Sequence, residues 1–346
     1  MKKPPEIFLV SYKLLLLEPN LEKSFETKEL SLLKFPKILL NISTFQQAFE
    51  KLQNDFRQQK FLLAVSGGAD SMVLANLSQK SGLNFEIAHL NYQLRGEDSD
   101  LDQKVVQNFC SENNIKLHLY KVSENENREN SVQLWARNLR YDFFFKILKE
   151  ENLDFIVTAH HLNDELETFI INLSRGSGIK GLSGIPANEN QILRPLLRFT
   201  KEEIYSYAEE NNVEFREDLS NQKDDYLRNK IRNQIVPKIT DVFPDFLNQF
   251  GESLKHLCTV NQFYQSQIEA TFQEIFIKGN DDEFTLDKEQ LFSKHPTIIV
   301  EIIRRLGFSG IEIDKIIQAE NGKFFRSNTH EISIKRNEIE CVKRIK

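Results

Sequence analysis

The sequence is poor in cysteine, tryptophan and methionine: its 346 residues include three cysteines, one tryptophan and two methionines. Cys110, Cys258 and Cys341 lie far apart and form no CxxC pair. This spacing argues against a disulfide framework, a zinc ribbon and an iron–sulfur site, and it favours a reducing cytoplasm. Residues 8–17 are apolar, but the run is short and contains Lys13, whereas a membrane helix needs about 20 apolar residues. We therefore expect neither a membrane span nor a signal peptide.

An overall excess of positive charge is also missing. The net charge is −6, which argues against a protein that coats nucleic acid nonspecifically but does not exclude a local basic face. Two segments, 223–238 and 335–346, reverse the balance, each with five lysines and arginines against two acidic residues. Each segment is either a solvated charged surface or a contact for RNA, and composition leaves both interpretations open.

From residue 44 onwards, short β-prone runs alternate with helical stretches. This alternation favours an α/β domain with a parallel sheet, which binds ligands at the carboxyl ends of its strands. Strands are predicted at 61–65, 85–89, 117–122 and 154–159, and helices at 45–53, 70–79, 98–113, 133–150, 163–173 and 201–212.

The pattern changes after Pro237. Helices are predicted over 245–278 and 288–306, followed by two or three short strands within 323–342. We divide the chain into an N-terminal extension of unclear role (1–43), a catalytic α/β domain (44–240) and a mainly helical C-terminal domain that ends in short strands (241–346).

The segment SGGADS, residues 66–71, lies between a predicted strand and a predicted helix. Two adjacent glycines let the backbone approach a ligand closely, and the unpaired N–H groups that open the helix attract an anion such as phosphate. The segment has no Walker A lysine, so a P-loop kinase or GTPase is not expected. SGGxDS instead resembles the pyrophosphate loop of ATP pyrophosphatases, which cleave ATP between its α and β phosphates. The resemblance implies ATP binding by Ser66, Gly67, Gly68, Ala69, Asp70 and Ser71.

A second cluster follows the fourth predicted strand. His160 and His161 lie at the strand tip, and Asp164 and Glu167 are three apart at a helix start, so both carboxylates face one side. These side chains can be interpreted as a metal site. They can equally be interpreted as an anionic cup for a cationic amine, with a histidine on the nucleotide.

Basic residues stand out in two further places. Arg137 and Arg140 are three apart on one predicted helix, which suits either phosphate binding or surface salt bridges. The loop RGSGIKGLSGI, residues 175–185, combines four glycines with Arg175 and Lys180, which suggests a flexible segment that contacts phosphate.

Together these motifs resemble the tRNA(Ile)-lysidine synthase family in their order and spacing. The resemblance covers about 60–237, is weaker towards the C-terminus, and implies a Rossmann-like, adenine-nucleotide α-hydrolase-like fold. In chain order the motifs are SGGADS, HLNYQLRGEDS, ARNLRY, TAHHLNDELET, RGSGIKGLSGI, RPLL, EDLSN and RNKIRNQIVP.

The resemblance implies a ligase that forms a carbon–nitrogen bond. ATP would activate C2 of the wobble cytidine of a CAU-anticodon tRNA(Ile) as an adenylate, with release of pyrophosphate. The ε-amine of L-lysine would then attack C2 and release AMP, so that the tRNA reads AUA instead of AUG. Mg²⁺ would neutralise the phosphates, and no metal site made of protein ligands is predicted. An oligomer is compatible with the sequence.

Individual roles follow from the same resemblance. Arg140 and His160 match positions that contact the nucleotide, whereas Asp164 and Glu167 match positions that hold lysine. Together with Asp70 they are the expected catalytic residues. The amine, with a free pKa of about 10.4, must lose a proton before it attacks. The expected tRNA contacts are Arg175, Lys180, Arg228, Lys230 and Arg232.

The sequence departs from the family in two places. The family motif HxNHxLR has a second histidine where this chain has Tyr92 followed by Gln93. Longer members carry a further C-terminal module that grips the tRNA acceptor arm, and we expect it to be truncated or missing here. The alternatives are a 2-thiocytidine synthase, which would need cysteine pairs, an amidotransferase relative, which would need a glutaminase, and a non-catalytic tRNA-binding protein.

Overall fold

A six-stranded sheet forms the centre of the N-terminal part of the chain in the computed structural model, which describes residues 39–123, 132–217 and 227–344. The spatial order is β3-β2-β1-β4-β6-β5, and all neighbours pair in parallel except β5 with β6. The predicted parallel sheet is confirmed. Its strands are Lys60–Ala64 (β1), Asn84–Asn91 (β2), Leu117–Lys121 (β3), Phe155–Val157 (β4), Asn188–Glu189 (β5) and Ile192–Leu193 (β6).

Helices connect these strands as predicted, with small differences at their ends. A capping box starts α7, because the Glu203 amide donates to Thr200 Oγ1 (3.2 Å) and the Thr200 amide donates to the Glu203 carboxylate (2.8 Å). The helices are Ile42–Leu52 (α1), Ala69–Lys80 (α2), Glu97–Asn113 (α3), Val132–Glu150 (α4), Leu162–Ser174 (α5), Ile179–Leu182 (α6) and Lys201–Glu210 (α7).

Both faces of the central sheet are covered by helices. Phe61 and Leu63 of β1 belong to the apolar cluster that includes α1, α2, α3 and α7. Leu62 belongs to a separate cluster with Phe144 of α4 and Ile156 of β4. Successive side chains of a strand point to opposite faces, so a strand buried on both sides is a continuous apolar run. The run at 61–65 therefore marks the centre of this sheet.

The strand order places a ligand crevice between β1 and β4. The chain runs outward from β1 through β2 to β3 and then returns to the other side of β1 as β4. Parallel sheets bind ligands at such a switch point, outside the carboxyl ends of the strands. SGGADS follows β1, and the histidine pair follows β4, so the two main motifs lie on either side of this crevice.

The C-terminal part contains a second, antiparallel sheet of five strands in the order β7-β8-β11-β10-β9. Its strands are Phe276–Gly279 (β7), Glu283–Asp287 (β8), Phe324–Arg326 (β9), His330–Ile334 (β10) and Glu338–Lys343 (β11). The helical elements of this part are Leu227–Lys230 (α8), a π-helix over Ile231–Ile235, Val236–Val242 (α9), Phe246–Ile275 (α10), Lys288–Ser293 (α11), Pro296–Arg305 (α12) and Ile311–Ile317 (α13).

The prediction for this C-terminal part is confirmed in class, but several elements differ. The single helix predicted over 288–306 is divided into α11 and α12, and strand β8 was not predicted. The three short strands within 323–342 are present, whereas the helix predicted over 245–278 ends at Ile275. Residues 276–279 form β7 instead and pair with β8, and Phe276 and Ile277 are of residue types enriched in strands. The strand predicted at 154–159 is also shorter, with β4 limited to three residues.

Helix α10 joins the two parts of the fold. Near its start, Leu247 and Phe250 pack against Leu162 and Leu166 of α5. Near its end, Ile268 and Ile275 enter the core beneath the second sheet, and the middle of the helix exposes Val260 and Phe263. The helix therefore ties the element that carries Asp164 and Glu167 to the C-terminal sheet.

The described residues from Leu40 onwards belong to one compact unit. The proposed extension 1–43 lies mostly outside the described residues, as do most of the EDLSN motif and the first residues of the basic segment 223–238. The division at residue 240 stays a prediction. Within the described ranges, no helix combines the length and apolar character needed to cross a membrane.

Candidate functional site

The SGGADS loop is shaped by hydrogen bonds between its own residues. Ser71 Oγ accepts from the Ser66 amide and donates to the Gly68 carbonyl, each at 3.0 Å. Ser66 itself is exposed, and its hydroxyl lies 3.1 Å from Ser71 Oγ. Gly68 is the N-cap of α2 and provides no side-chain cap. The first amides of α2 therefore remain open to an anion at the mouth of the crevice.

The back of the loop rests on α3 and on the segment after α7. A Cβ added at Gly67, where φ is +94°, would lie 2.9 Å from the Asp102 carbonyl oxygen. The Arg216 amide donates to the Gly67 carbonyl (3.0 Å), and its side chain donates to Asp102 (3.0 Å). Arg95 donates to the other Asp102 oxygen at 2.7 Å. The supporting role of Asp102 and Arg216 could not be predicted from the sequence, because neither residue belongs to a local pattern that marks a loop support.

His160 lies just after β4, and its ring is uncharged at neutral pH. Its Nδ1 atom is 2.8 Å from Thr158 Oγ1. Burial lowers the pKa of His160 to about 4, and the positive charges of Arg194 and Arg228 act in the same direction. At neutral pH the ring therefore offers a hydrogen bond rather than a positive charge to a nucleotide.

His161 joins the glycine loop to α5, although the sequence analysis gave it no individual role. Its Nε2 atom lies 3.6 Å from a carboxylate oxygen of Asp70 and 3.6 Å from one of Asp164. Its backbone amide donates to Asp164 at 3.1 Å. Burial alone would lower the pKa of His161, but the two carboxylates outweigh it and the pKa is raised. The two adjacent histidines are visible in the sequence, but the sequence does not determine which of the two rings faces Asp70 and Asp164.

Asp164 and Glu167 face the same side of α5, as predicted, and arginines lie against them. Arg232 contacts Glu167 through two nitrogens at 2.6 and 3.0 Å, and it lies 3.6 Å from Asp164. Arg228 lies 3.4 Å from Glu167 and donates to Thr168 Oγ1 at 2.6 Å. Burial works to raise the pKa of Asp164, but the neighbouring His161 and His160 outweigh it, so the pKa is lowered and Asp164 is a carboxylate at neutral pH.

The predicted arginine pair on α4 is divided between two aromatic partners. Arg140 Nε donates to Tyr92 Oη at 2.9 Å, at the end of β2 and thus on the ligand side of the sheet. The Arg137 guanidinium lies 5.1 Å from the centroid of the Tyr141 ring. Among the residues that the structure describes, Arg140 therefore has a hydrogen-bonded position at this edge, whereas Arg137 has none.

The predicted tRNA contacts fall into two groups. Arg175, Lys180 and Lys230 are exposed, as a contact for a large polyanion requires. Arg228 and Arg232 instead pair with Glu167, which neutralises the Glu167 carboxylate of the predicted anionic cup in this structure. The role of all five residues in tRNA binding stays a prediction.

In the described part of the basic segment 335–346, three cations have acidic neighbours, and the first is Lys335, which lies 3.3 Å from Glu340. Lys343 lies 3.4 Å from Asp282, and Arg344 lies 3.7 Å from Glu331. These contacts favour the interpretation of a solvated charged surface over that of an RNA contact.

One cluster with metal-ligand chemistry occurs in the described residues, and it lies at the amino end of the strands. His118 Nε2 is 2.5 Å from Glu86, and Lys116 bridges Glu86 and Glu151. The lysine ammonium lies beside both carboxylates and offsets part of their negative charge. The side chains of His160, His161, Asp164 and Glu167 form no comparable group within the residues described.

Glu165 makes stability depend on pH. Burial raises its pKa to about 7, although its carboxylate accepts a hydrogen bond from the Ile185 amide at 2.6 Å. A pKa above that of the unfolded chain stabilises the fold at low pH, and this stabilisation is lost as the pH rises through 7. We expect Glu165→Gln, which removes the charge, to have a free energy of unfolding within about 1 kcal/mol of the wild type at pH 5. At pH 8 its free energy of unfolding should be about 3 kcal/mol higher than that of the wild type, because a pKa raised from 4.5 to about 7 corresponds to that amount.

Urea denaturation at both pH values measures this difference. Glu202→Gln, at an exposed position of α7, is the matched control and should show no such pH dependence. A difference between Glu165→Gln and the wild type that is the same at both pH values would contradict the assignment.

Comparisons with known proteins agree with this architecture. Residues 41–239 match a family model described as PP-loop domain, and residues 278–343 match one described as TilS substrate binding domain. The U34-tRNA thiolase NcsA from Methanococcus maripaludis, a structure with a [4Fe-4S] cluster, is similar with a TM-score of 0.51 and 18% identity. That similarity covers 63% of this chain and 79% of the thiolase, and it concerns the fold alone.

Curated relatives share the name tRNA(Ile)-lysidine synthase. The one from Bacteroides thetaiotaomicron is 35% identical over 268 residues, which cover 76% of this chain and 62% of the relative. The one from Parabacteroides distasonis is 31% identical over 297 residues, which cover 84% of this chain and 67% of the relative. The chain thus spans about two thirds of the length of these relatives, 62% of the first and 67% of the second.

Proposed function

This chain belongs to the PP-loop family and, within it, to the tRNA(Ile)-lysidine synthase family, and we propose that it attaches L-lysine to C2 of the wobble cytidine of a CAU-anticodon tRNA(Ile) in an ATP-dependent reaction. The observation that carries the proposal is that the SGGADS loop and Asp164 lie together at the crevice between β1 and β4. The glycine loop opens amides towards an anion there, and Asp164 presents a carboxylate beside it, linked to the loop through His161.

The first step is adenylation of the base. The cytosine O2 attacks the α-phosphorus of ATP, a new O–P bond forms, and the bond to the bridging oxygen breaks so that pyrophosphate leaves. Amides of the SGGADS loop hold the phosphates, and the guanidinium of Arg140 adds a positive charge. The neutral ring of His160 contacts the nucleotide without repelling either the base or a cationic substrate.

The second step is attack by lysine. The ε-nitrogen forms a bond to C2, the C2–O bond breaks, and AMP leaves with that oxygen while the amine gives up a proton. Asp164 is the carboxylate that receives the ammonium of the incoming lysine. Glu167 is committed to Arg232 and Arg228 in this structure, so its contact with lysine requires those arginines to shift.

Mg²⁺ fits the same crevice. Asp70 Oδ1 is buried and has no hydrogen-bond partner in the described part of the chain. A carboxylate oxygen is a donor that Mg²⁺ prefers, so Asp70 is the residue that would share the ion with the phosphates. The ion would neutralise the negative charge of the triphosphate.

The tRNA is the partner that the C-terminal part would position, and the exposed cations Arg175, Lys180 and Lys230 are available to its phosphates. Cytoplasm is the proposed location, in keeping with three free cysteines. The thiolation alternative has little support, because Cys110 and Cys341 are buried in different parts of the fold and Cys258 donates to the Ser183 carbonyl.

The test is a lysine-transfer assay with purified protein, ATP, Mg²⁺ and labelled lysine. Label should enter CAU-anticodon tRNA(Ile), with tRNA(Met) as the control that stays unlabelled, and pyrophosphate and AMP should form in equal amounts. Absence of transfer under every condition would overturn the proposal. Binding of tRNA without pyrophosphate release would favour the non-catalytic alternative.

Asp164→Ala should separate the two substrates. We expect the KM for lysine to rise at least about 10-fold, because a charged hydrogen-bond partner is lost, while ATP binding stays within a factor of about three. Glu150→Ala, which removes an exposed carboxylate at the end of α4, is the control. Equal losses of lysine and ATP binding in Asp164→Ala would contradict its role.

A further inference from the structure

Tyr92 makes a fixed contact between the end of β2 and helix α4. Its hydroxyl donates to the Ala136 carbonyl at 3.0 Å and accepts from Arg140 Nε at 2.9 Å. Ala136 and Arg140 are one helical turn apart, so a single hydroxyl contacts both ends of that turn. The Tyr92 ring packs edge-on against the buried Trp135, with 6.2 Å between ring centroids. The position of the hydroxyl is therefore set by both a ring contact and two hydrogen bonds.

Arg140 depends on this contact for its orientation. Its side chain is exposed, and in the described ranges Tyr92 is its hydrogen-bond partner. The guanidinium carbon also lies 5.7 Å from the centroid of the Tyr92 ring. A free arginine loses rotamer entropy when it is held in one conformation, and part of that loss is avoided when the side chain is already oriented.

The contact with Tyr92 also leaves the terminal nitrogens of Arg140 available for a ligand. Tyr92 engages Nε alone, so the two terminal nitrogens of Arg140 remain for a phosphate, which an arginine contacts best through paired donors. Arg137 on the same helix provides the contrast, since it lies over the Tyr141 ring and no hydrogen bond orients it among the residues described.

We propose that Tyr92 is a positioning residue that orients the Arg140 guanidinium for ATP, at the place where the family motif has a histidine. The proposal rests on the proposed function in one respect, namely that Arg140 contacts the nucleotide. Tyr92 acts through Arg140 and makes no contact of its own with the substrate.

Tyr92→Phe tests this proposal, because it removes the hydroxyl and keeps the ring. We expect the Kd for ATP, measured by equilibrium binding to the full chain without tRNA or lysine, to rise about 10-fold, as for loss of one hydrogen bond to a charged group. In the complete reaction the KM for ATP should rise by a similar factor, while the KM for lysine stays unchanged. Tyr92→His should restore most of the affinity, because a ring nitrogen can accept from Arg140 Nε.

A double-mutant cycle distinguishes positioning from a general structural effect. In an Arg140→Ala background, Tyr92→Phe should cause no further loss of ATP affinity. Tyr141→Leu, which removes the ring beneath Arg137, is the matched control and should leave the Kd for ATP unchanged. An unchanged Kd in Tyr92→Phe, or a full additional loss on top of Arg140→Ala, would overturn the proposal. Because the readout is ATP binding, a failure of lysine transfer to tRNA is detected separately and concerns the proposed function alone.

Discussion

Gly67→Ala is expected to lose at least about 100-fold in ATP-dependent activity while the protein remains folded, which corresponds to about 2.7 kcal/mol. Gly67 has a φ of +94°, a conformation that costs other residues about 1–2 kcal/mol. A Cβ there would also lie 2.9 Å from the carbonyl oxygen of Asp102, which belongs to helix backbone and cannot rotate away. The loop must therefore move at the point where its amides face the crevice.

Gly68→Ala is the matched control for the fold. At Gly68 the nearest atom to an added Cβ is Ser66 Oγ at 3.7 Å, an ordinary contact, and φ is −80°. We expect its melting temperature to stay near that of the wild type, whereas Gly67→Ala should melt several degrees lower. ATP affinity is read by equilibrium binding. A Gly67→Ala protein that binds ATP like the wild type would show that the loop shape does not matter for the nucleotide.

Arg232→Ala is expected to destabilise the fold by about 3 kcal/mol. The Glu167 side chain is 2% exposed, and Arg232 contacts both of its oxygens, at 2.6 and 3.0 Å. Removal of the arginine leaves a buried carboxylate with Arg228 as its remaining cation, at 3.4 Å. Urea denaturation at neutral pH measures the loss.

The matched controls separate charge from packing. Lys230→Ala removes an exposed cation two residues away and should change the free energy of unfolding by less than about 0.5 kcal/mol. Combining Arg232→Ala with Glu167→Gln should recover part of the loss, because the carboxylate is then no longer charged. If the double variant is as unstable as the sum of its parts, the ion pair is not the source of the stability.

The sequence was informative where the chemistry depends on neighbouring residues. SGGADS could be interpreted because a strand, a glycine turn and a helix start lie within one short segment. The pair Asp164 and Glu167 could be placed on one face because helical spacing alone decides it. The sheet followed from the alternation of apolar runs, and β1 is central because both of its faces are apolar.

The partners of those residues could not be predicted, because they come from distant parts of the chain. Arg232 and Glu167 are 65 residues apart, and Arg216 and Asp102 are 114 apart. No local pattern tells that both arginines in RNKIRN, Arg228 and Arg232, lie against Glu167. Strand β7 was missed for a related reason, since its partner β8 is not marked by a local pattern in the sequence.

Helix α10 has a mechanical consequence. Its 30 residues span about 45 Å at 1.5 Å per residue, and packing holds it at both ends but not in the middle. Such a rod acts as a lever arm: a tilt of about 5° at one end moves the other by about 4 Å. A displacement of the C-terminal sheet is thus transmitted through α10 to Leu162 and Leu166, which lie on the helix that carries Asp164.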